Sequence, residues 1–415
     1  MKALLALLLI MPPPVTAPDW VTCGTAECTT LTVPVDWSRP NGETVGIPVA
    51  RRAAPDPAKR IGTLVFLPGG PWDSGVQRVR DGYRRFSDTL LDRFDIVSLD
   101  PRGSRCEPGP PPLLTSQADF DAALAHNRAL WQTCAGGVWR HADMLSNVRD
   151  LEALRIALGE RQLSFHGSSY GTLLGQQYAE RYPGRVRAMV LESVVDHSPA
   201  PFLPTQAAAY EDAFDHFADW CAADTSCALH GRDVRQVWRG LRDFDLVAVT
   251  LKFLRDAAYG PLAGYLRDVA GGAPPIRVPS LGVVTPAFCA DWSLPVADFA
   301  DYQRQLRQAA RVAPDTGYPA QVFALTMCLG WGKVANPQRP VRVRTEIPLL
   351  LVNSRHDPAT GWEGARNVER QLGRHGVLVT YEGAGHGAYT LSDCIKRTVD
   401  DYLVSRTVPA RGTTC

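Results

Sequence analysis

One serine in this chain stands symmetrically between two glycines, in Gly167-Ser168-Ser169-Tyr170-Gly171. The spacing is that of a nucleophile on a sharp strand-to-helix turn. Such a turn needs small residues two positions to either side, because the backbone passes close to itself there. Ser164 and Ser168 lack that spacing. The preceding LSFH supplies the strand and the following TLLGQQYAERY the helix. The turn then aims the Tyr170 backbone N–H, and a helix N-terminus, at any negative charge developing beside Ser169.

A serine hydroxyl is hardly ionised at neutral pH and needs a base. Among nine histidines, His386 lies in GAGHGAY, after the strand-like VLVTYEG and before a helical pattern. The acid belongs between them, and IPLLLVNSRHDPAT supplies Asp357 just past a strand end. Its carboxylate would fix the imidazole tautomer and stabilise the imidazolium. Ser169, Asp357 and His386 thus come in the order nucleophile, acid, base. Each follows the C-terminal end of a strand, where parallel α/β sheets place their sites. Asp357 also suits a cap for a helix near 362. His356 is too close to it in the chain to be the expected base, His166 reads as a packed strand residue, and His141, His197 and His230 have no motif around them. In LVFLPGGPWDSG the glycines Gly69-Gly70 follow a strand directly and can turn an amide inward as a second oxyanion donor; a plain turn is the other reading.

Short apolar runs position these residues. LTVPVDW (31–37) and VGIPVARRAA (45–54) read as strands split by a Pro-Asn-Gly turn. IGTLVFL (61–67), FDIVSLD (94–100), QLSFHG (162–167), VRAMVLES (186–193), IPLLLVNS (347–354) and GVLVTYEG (376–383) read as strands buried on both faces of a parallel sheet. Helical patterns at 144–158, 172–182 and 387–404 alternate with them, which predicts a doubly wound α/β sheet. Between about 197 and 345 the alternation stops. Helical stretches at 206–224 and 297–312, with breaks at 271–275 and 314–319, predict a mainly helical insertion. Tyr210, Phe214, Phe217 and Cys221 form one stripe of the first.

The 415 residues, 45% hydrophobic with a net charge of +1, suit one large α/β unit plus that insertion. No dense basic patch suggests nucleic acid or an anionic membrane surface. Lys2 precedes an apolar run, Ala3 to Met11, that is too short to span a bilayer. It reads as a secretory leader with a small-residue cleavage site at Val15-Thr16-Ala17, although Pro18 directly after it is unfavourable. The expected organisation is a leader over 1–17, a core over 18–196 and 346–415, and a cap over 197–345. The ten cysteines, an even number in an exported chain, suggest disulfides. Pairing by chain position gives Cys23–Cys28, Cys106–Cys134, Cys221–Cys227, Cys289–Cys328 and Cys394–Cys415. No CxxC pair or suitably spaced histidine points to zinc.

Taken together, GGP followed by xSG, FDIVSLDPRGS (94–104), GSSYGT, the long insertion, SRHDPATG and GAGHG resemble a known group. They are similar to the α/β-hydrolase serine peptidases of the prolyl iminopeptidase and tripeptidyl aminopeptidase group, and most like its secreted actinobacterial-type members. The resemblance runs over about residues 23 to 415, loosely in the insertion. It implies an α/β-hydrolase fold, a helical cap over the site, and an exopeptidase that releases short peptides or single residues from free N-termini. It places the oxyanion amides on Gly70 and Tyr170. Where the group usually has GGPGxSG, Trp72-Asp73 stands here, so Trp72 puts a large ring beside the oxyanion loop.

An aminopeptidase must also hold an ammonium group, which calls for carboxylates. Glu192, Asp196 and Asp291 are the candidates, each equally suited to a structural ion pair. Arg102 reads as a structural anchor of its loop. A carboxylesterase acting on small esters with the same three residues is the rival reading. A non-catalytic binding protein does not explain the three, dehalogenase or epoxide-hydrolase chemistry needs Asp where Ser169 stands, and the insertion shows no long apolar helix of the lipase kind. A soluble, secreted monomer that needs no metal or cofactor, acting on a peptide or small ester, is expected.

Overall fold

The computed structural model describes residues 17–71, 73–82, 85–102, 113–134, 137–277 and 286–415. Its frame is one nine-stranded sheet. The strands are β1 (Val21–Cys23), β2 (Ala26–Pro34), β3 (Thr44–Arg52), β4 (Gly62–Leu67), β5 (Phe94–Leu99), β6 (Leu163–Ser168), β7 (Val186–Glu192), β8 (Leu349–His356) and β9 (Gly376–Ala384). They lie in the order β1-β2-β3-β5-β4-β6-β7-β8-β9. From β5 to β9 every neighbour is parallel, while β1, β2 and β3 join antiparallel through β3 against β5. The apolar runs at 61–67, 94–100 and 162–167 are buried along their whole observed length, as strands covered on both faces must be. The sheet order reverses between β4 and β6, where the Gly69-Gly70 loop and the Ser169 turn meet.

Helices cover both faces. One core packs Val65, Phe165 and Leu351 against the helices Met144–Ala157, Gly171–Arg181 and Trp362–Leu372. The other packs Phe66, Ile96 and Val379 against Asp88–Arg93 and Asp393–Ser405. The helix expected over 387–404 is two, Ala388–Leu391 and Asp393–Ser405. Ser392 interrupts them in extended conformation and its side chain caps the second by accepting from Ile395 N.

The segment between β7 and β8 carries the helices Phe202–Ala223, Val234–Leu241, Phe244–Arg255, Tyr259–Ala270, Pro286–Asp291, Phe299–Val312 and Phe323–Met327. It has a core of its own, in which the stripe Tyr210, Phe214, Phe217 and Cys221 packs on Trp238, Leu262 and Leu266. Disulfides join Cys23–Cys28, Cys221–Cys227, Cys289–Cys328 and Cys394–Cys415. The fifth expected pair, Cys106–Cys134, and most of the leader-like segment lie outside the described residues. Arg102 does anchor its loop: fully buried, it pairs with Asp150 and donates to the carbonyls of Val35 and Pro34 at 2.6 and 3.0 Å. No described helix is long and apolar enough to cross a membrane.

Candidate active site

Ser169 sits at the end of β6 with φ +53°, a left-handed backbone that a non-glycine residue adopts at a cost of roughly 1–3 kcal/mol. Its N–H donates to Glu192 O at 2.9 Å, and its carbonyl accepts Thr172 N at 2.9 Å to start the helix. The glycines make this turn possible by close approach. A Cβ on Gly171 would lie 2.2 Å from Leu67 O and 2.5 Å from Pro68 O; one on Gly69 would lie 2.9 Å from Ser169 Cβ. The turn is therefore wedged against the loop after β4.

Asp357 follows the last residue of β8. Its Oδ1 accepts Ala359 N and Thr360 N at 2.9 Å, and its Oδ2 accepts Thr360 Oγ1 at 3.0 Å. The helix that follows is capped by Gly361, so Asp357 braces the loop without being the cap residue. His386 Nδ1 lies 2.9 and 3.0 Å from the two carboxylate oxygens. That bond puts the Nδ1 proton toward Asp357 and leaves Nε2 for the cavity. Burial raises the Asp357 carboxyl, but His386 and the N–H groups of Thr360 and Ala359 outweigh it and hold the carboxyl below its ordinary range. Gly385 and Gly387, at φ +105° and +109°, let the His386 loop bend. His386 N–H donates to Arg255 O, at the end of an insertion helix, at 2.8 Å.

Ser169, Tyr170, Gly70 and His386 all line one cavity of about 1270 Å³. An aromatic wall of Phe202, Phe288 and Trp292 comes from the insertion, with Phe288 and Trp292 stacked at 5.6 Å. Charged groups line the same cavity, among them Asp196, Asp212, Asp256, Lys252 and Arg355.

The candidates for the ammonium site divide. Asp196 lines the cavity, held by the neutral donors Ser198 N, Asn367 Nδ2 and Gln371 Nε2. Glu192 does not line it. Fully buried, Glu192 pairs with Arg85, accepts Tyr389 N at 2.6 Å and lies 3.8 Å from His166. Asp291 is also fully buried, is not among the lining residues, and accepts from the OH of Tyr170, which is. Both carboxyls are sealed from solvent and bonded within the fold, whereas Asp196 faces the cavity. Trp72 lies outside the described residues. His166 is packed among Phe86 and Tyr389, as a strand residue should be. Sequence reasoning missed Asp212, which bonds His356 Nδ1 at 2.9 Å, and Thr360. The first had no signal. The second had one, since Asp-Pro-Ala-Thr favours a side-chain-capped turn.

This fold and site define a serine hydrolase of the α/β-hydrolase class. Residues 318–415, which include β8, β9, Asp357 and His386, match the family model of TAP-like proteins. The chain is 28% identical to serine protease Hip1 of Mycobacterium tuberculosis, over 94% of this chain and 88% of that one. It is 29% identical to a tripeptidyl aminopeptidase of Streptomyces lividans, over 96% and 85%. It is 28% identical to a carboxylesterase B of Mycobacterium tuberculosis, over 94% and 86%. The resemblance to the tripeptidyl aminopeptidase group is thereby borne out.

Proposed function

We propose that this chain is a secreted aminopeptidase that removes short peptides from free N-termini through Ser169, His386 and Asp357. The observation that carries the reading is the Asp357–His386 bond at 2.9 Å, facing the same cavity as a serine at left-handed φ. Ser169 Oγ attacks the scissile carbonyl while Nε2 of His386 takes its proton. The amides of Gly70 and Tyr170 hold the oxyanion. The intermediate collapses, the amine leaves with the proton from Nε2, and water, deprotonated by the same nitrogen, releases the acyl group. Asp357 keeps the Nδ1 proton in place throughout.

The carboxylates of Asp196 and Asp212 on the cavity wall are the groups that would receive a substrate ammonium. The cavity exceeds what a small ester needs, which favours a peptide. Residues 197–345 act as a cap that supplies the aromatic wall, between core parts 18–196 and 346–415. Four disulfides support export after cleavage near residue 17. The aromatic wall, together with the esterase relative, keeps a carboxylesterase as the second reading.

Three matched substrates separate the two: a free-amine tripeptide anilide, its N-acetylated twin and a short acyl ester. Turnover of the free-amine anilide alone supports the aminopeptidase. Equal or better turnover of the other two overturns it in favour of an esterase. Ser169→Ala should lower kcat by about 10⁴-fold or more on any of them, with the fold intact.

A further inference from the structure

The helix Pro286–Asp291 ends on a carboxyl that no solvent reaches. Its Oδ1 accepts Met144 N and Asn336 Nδ2, both at 2.9 Å, and its Oδ2 lies 3.1 Å from Tyr170 OH. Its backbone carbonyl accepts from the His197 ring at 2.7 Å. Asn336 in turn exchanges two bonds with Gln177, on the helix that starts after Ser169. One carboxyl therefore joins the start of the helix Met144–Ala157, the Ser169 turn, the insertion and the chain returning to the core. Each of these side-chain partners is neutral. A buried carboxyl without a cation is a poor source of stability, since apolar packing of the same volume does better. Its geometry instead serves the residue it touches.

That residue is Tyr170. Its backbone N–H is the oxyanion donor of the mechanism above, and its ring also packs against Phe288 at 6.0 Å. We propose that Asp291 is a positioning residue of the oxyanion hole, fixing the Tyr170 side chain and through it the peptide N–H that meets the developing charge. The inference rests on that serine mechanism and adds a residue to it. Oδ1 accepts the two N–H donors and Oδ2 accepts the phenol O–H, and none of these donors carries a charge. Burial, with no cation beside it, pushes this carboxyl up to about 8.

The test uses the whole chain with a free-amine tripeptide anilide and reads kcat and KM separately. Tyr170→Phe and Asp291→Ala should each lower kcat about tenfold, less than the loss of a whole oxyanion donor, with KM within about twofold. The double variant should be no slower than the slower single one, because both break one linkage. Asp291→Asn keeps an oxygen for Met144 and Asn336, and its NH₂ donates to the phenol oxygen where the carboxyl accepted from the phenol, so the linkage is kept and most of kcat should return. Wild-type kcat in Tyr170→Phe, or losses that multiply in the double variant, overturns the inference. If Asp291→Ala does not fold, Tyr170→Phe decides alone, since it leaves both Oδ1 bonds intact. Ser169→Ala separates the two levels. Residual full turnover there sinks the serine mechanism itself, whereas an inactive Ser169→Ala beside a fully active Tyr170→Phe sinks this inference only.

Discussion

Two carboxyls, one in the core and one in the insertion, are buried almost alike, and their surroundings move them in opposite directions. Asp357 is 1% exposed and Asp291 0%. Each accepts backbone or side-chain hydrogen bonds on both oxygens. Burial raises both. At Asp357 an imidazole that can take a proton, plus two backbone N–H groups, more than reverses the rise. At Asp291 the donors are neutral and the nearby Asp143 carboxylate adds to the rise. The number of hydrogen bonds therefore does not decide the charge state; a partner able to carry a positive charge does.

The strongest way to break the comparison is to remove each charge while keeping the shape. Asp357→Asn leaves an isosteric group beside His386 but loses control of the tautomer and of the imidazolium. Its kcat should fall by about 10⁴-fold. Asp291→Asn should stay within severalfold of the wild type at neutral pH, because the amide keeps both Oδ1 bonds and its NH₂ can donate to the phenol oxygen in place of accepting from it. Comparable losses in the two variants would show that Asp291 works ionised and that the contrast is wrong.

The insertion carboxyl also depends on how its helix is held. Cys289–Cys328 closes a loop of sequence separation 39, two residues before Asp291, whereas Cys221–Cys227 closes a loop of only 6 within the insertion. Replacing both cysteines of the longer loop by serine should cost about 4 kcal/mol, and of the shorter about 2 kcal/mol, on the loop-entropy relation. Chemical denaturation measures both. Loss of the longer loop should also lower kcat in the fraction that stays folded, since it frees the segment that holds Tyr170. Equal effects on kcat from the two pairs would detach Asp291 from the site.

The core of this picture was legible in the sequence because its signals are local. Strands β4 to β9 showed as apolar runs, since a strand buried on both faces has no polar alternation to hide it. The Ser169 turn showed through glycines that its close contacts require. The insertion was legible only where a stripe was strong. The helix Phe244–Arg255 was missed because Val247, Val249 and Thr250 weaken the helical signal, and Asp243, which caps it by accepting Leu246 N at 2.7 Å, resembles any loop acid. The helix Gln117–Cys134 buries Asn127 against carbonyls of Thr326 and Leu329 about two hundred residues away. The fates of Glu192 and Asp291 were illegible for the same reason. Arg85, which neutralises Glu192, is 107 residues away, and the partners of Asp291 are spread over Met144, Tyr170 and Asn336. Long-range polar pairing leaves no periodicity to read.

The pH dependence of stability is the sharpest discriminator, because the two carboxyls differ in sign. A carboxyl whose folded pKa is lowered, as at Asp357, stabilises the fold above its unfolded value near 3.9, and that contribution is lost as pH falls through the folded pKa. Across pH 5 to 8 it is flat. A carboxyl raised to about 8, as at Asp291, favours the fold below about 3.9 and loses that contribution as pH rises toward 8. The unfolding free energy of the wild type, minus that of Asp291→Asn, should therefore fall between pH 5 and 8 at up to about 1.4 kcal/mol per unit and level off above. Taking the difference largely cancels the other groups that titrate there, including His197, which burial lowers and which bonds the Asp291 carbonyl. Denaturant titrations at half-unit intervals read the slope. A flat difference would mean that Asp291 is ionised throughout, with the Met144, Asn336 and Tyr170 donors sufficing to hold a charge in place of the neutral acid.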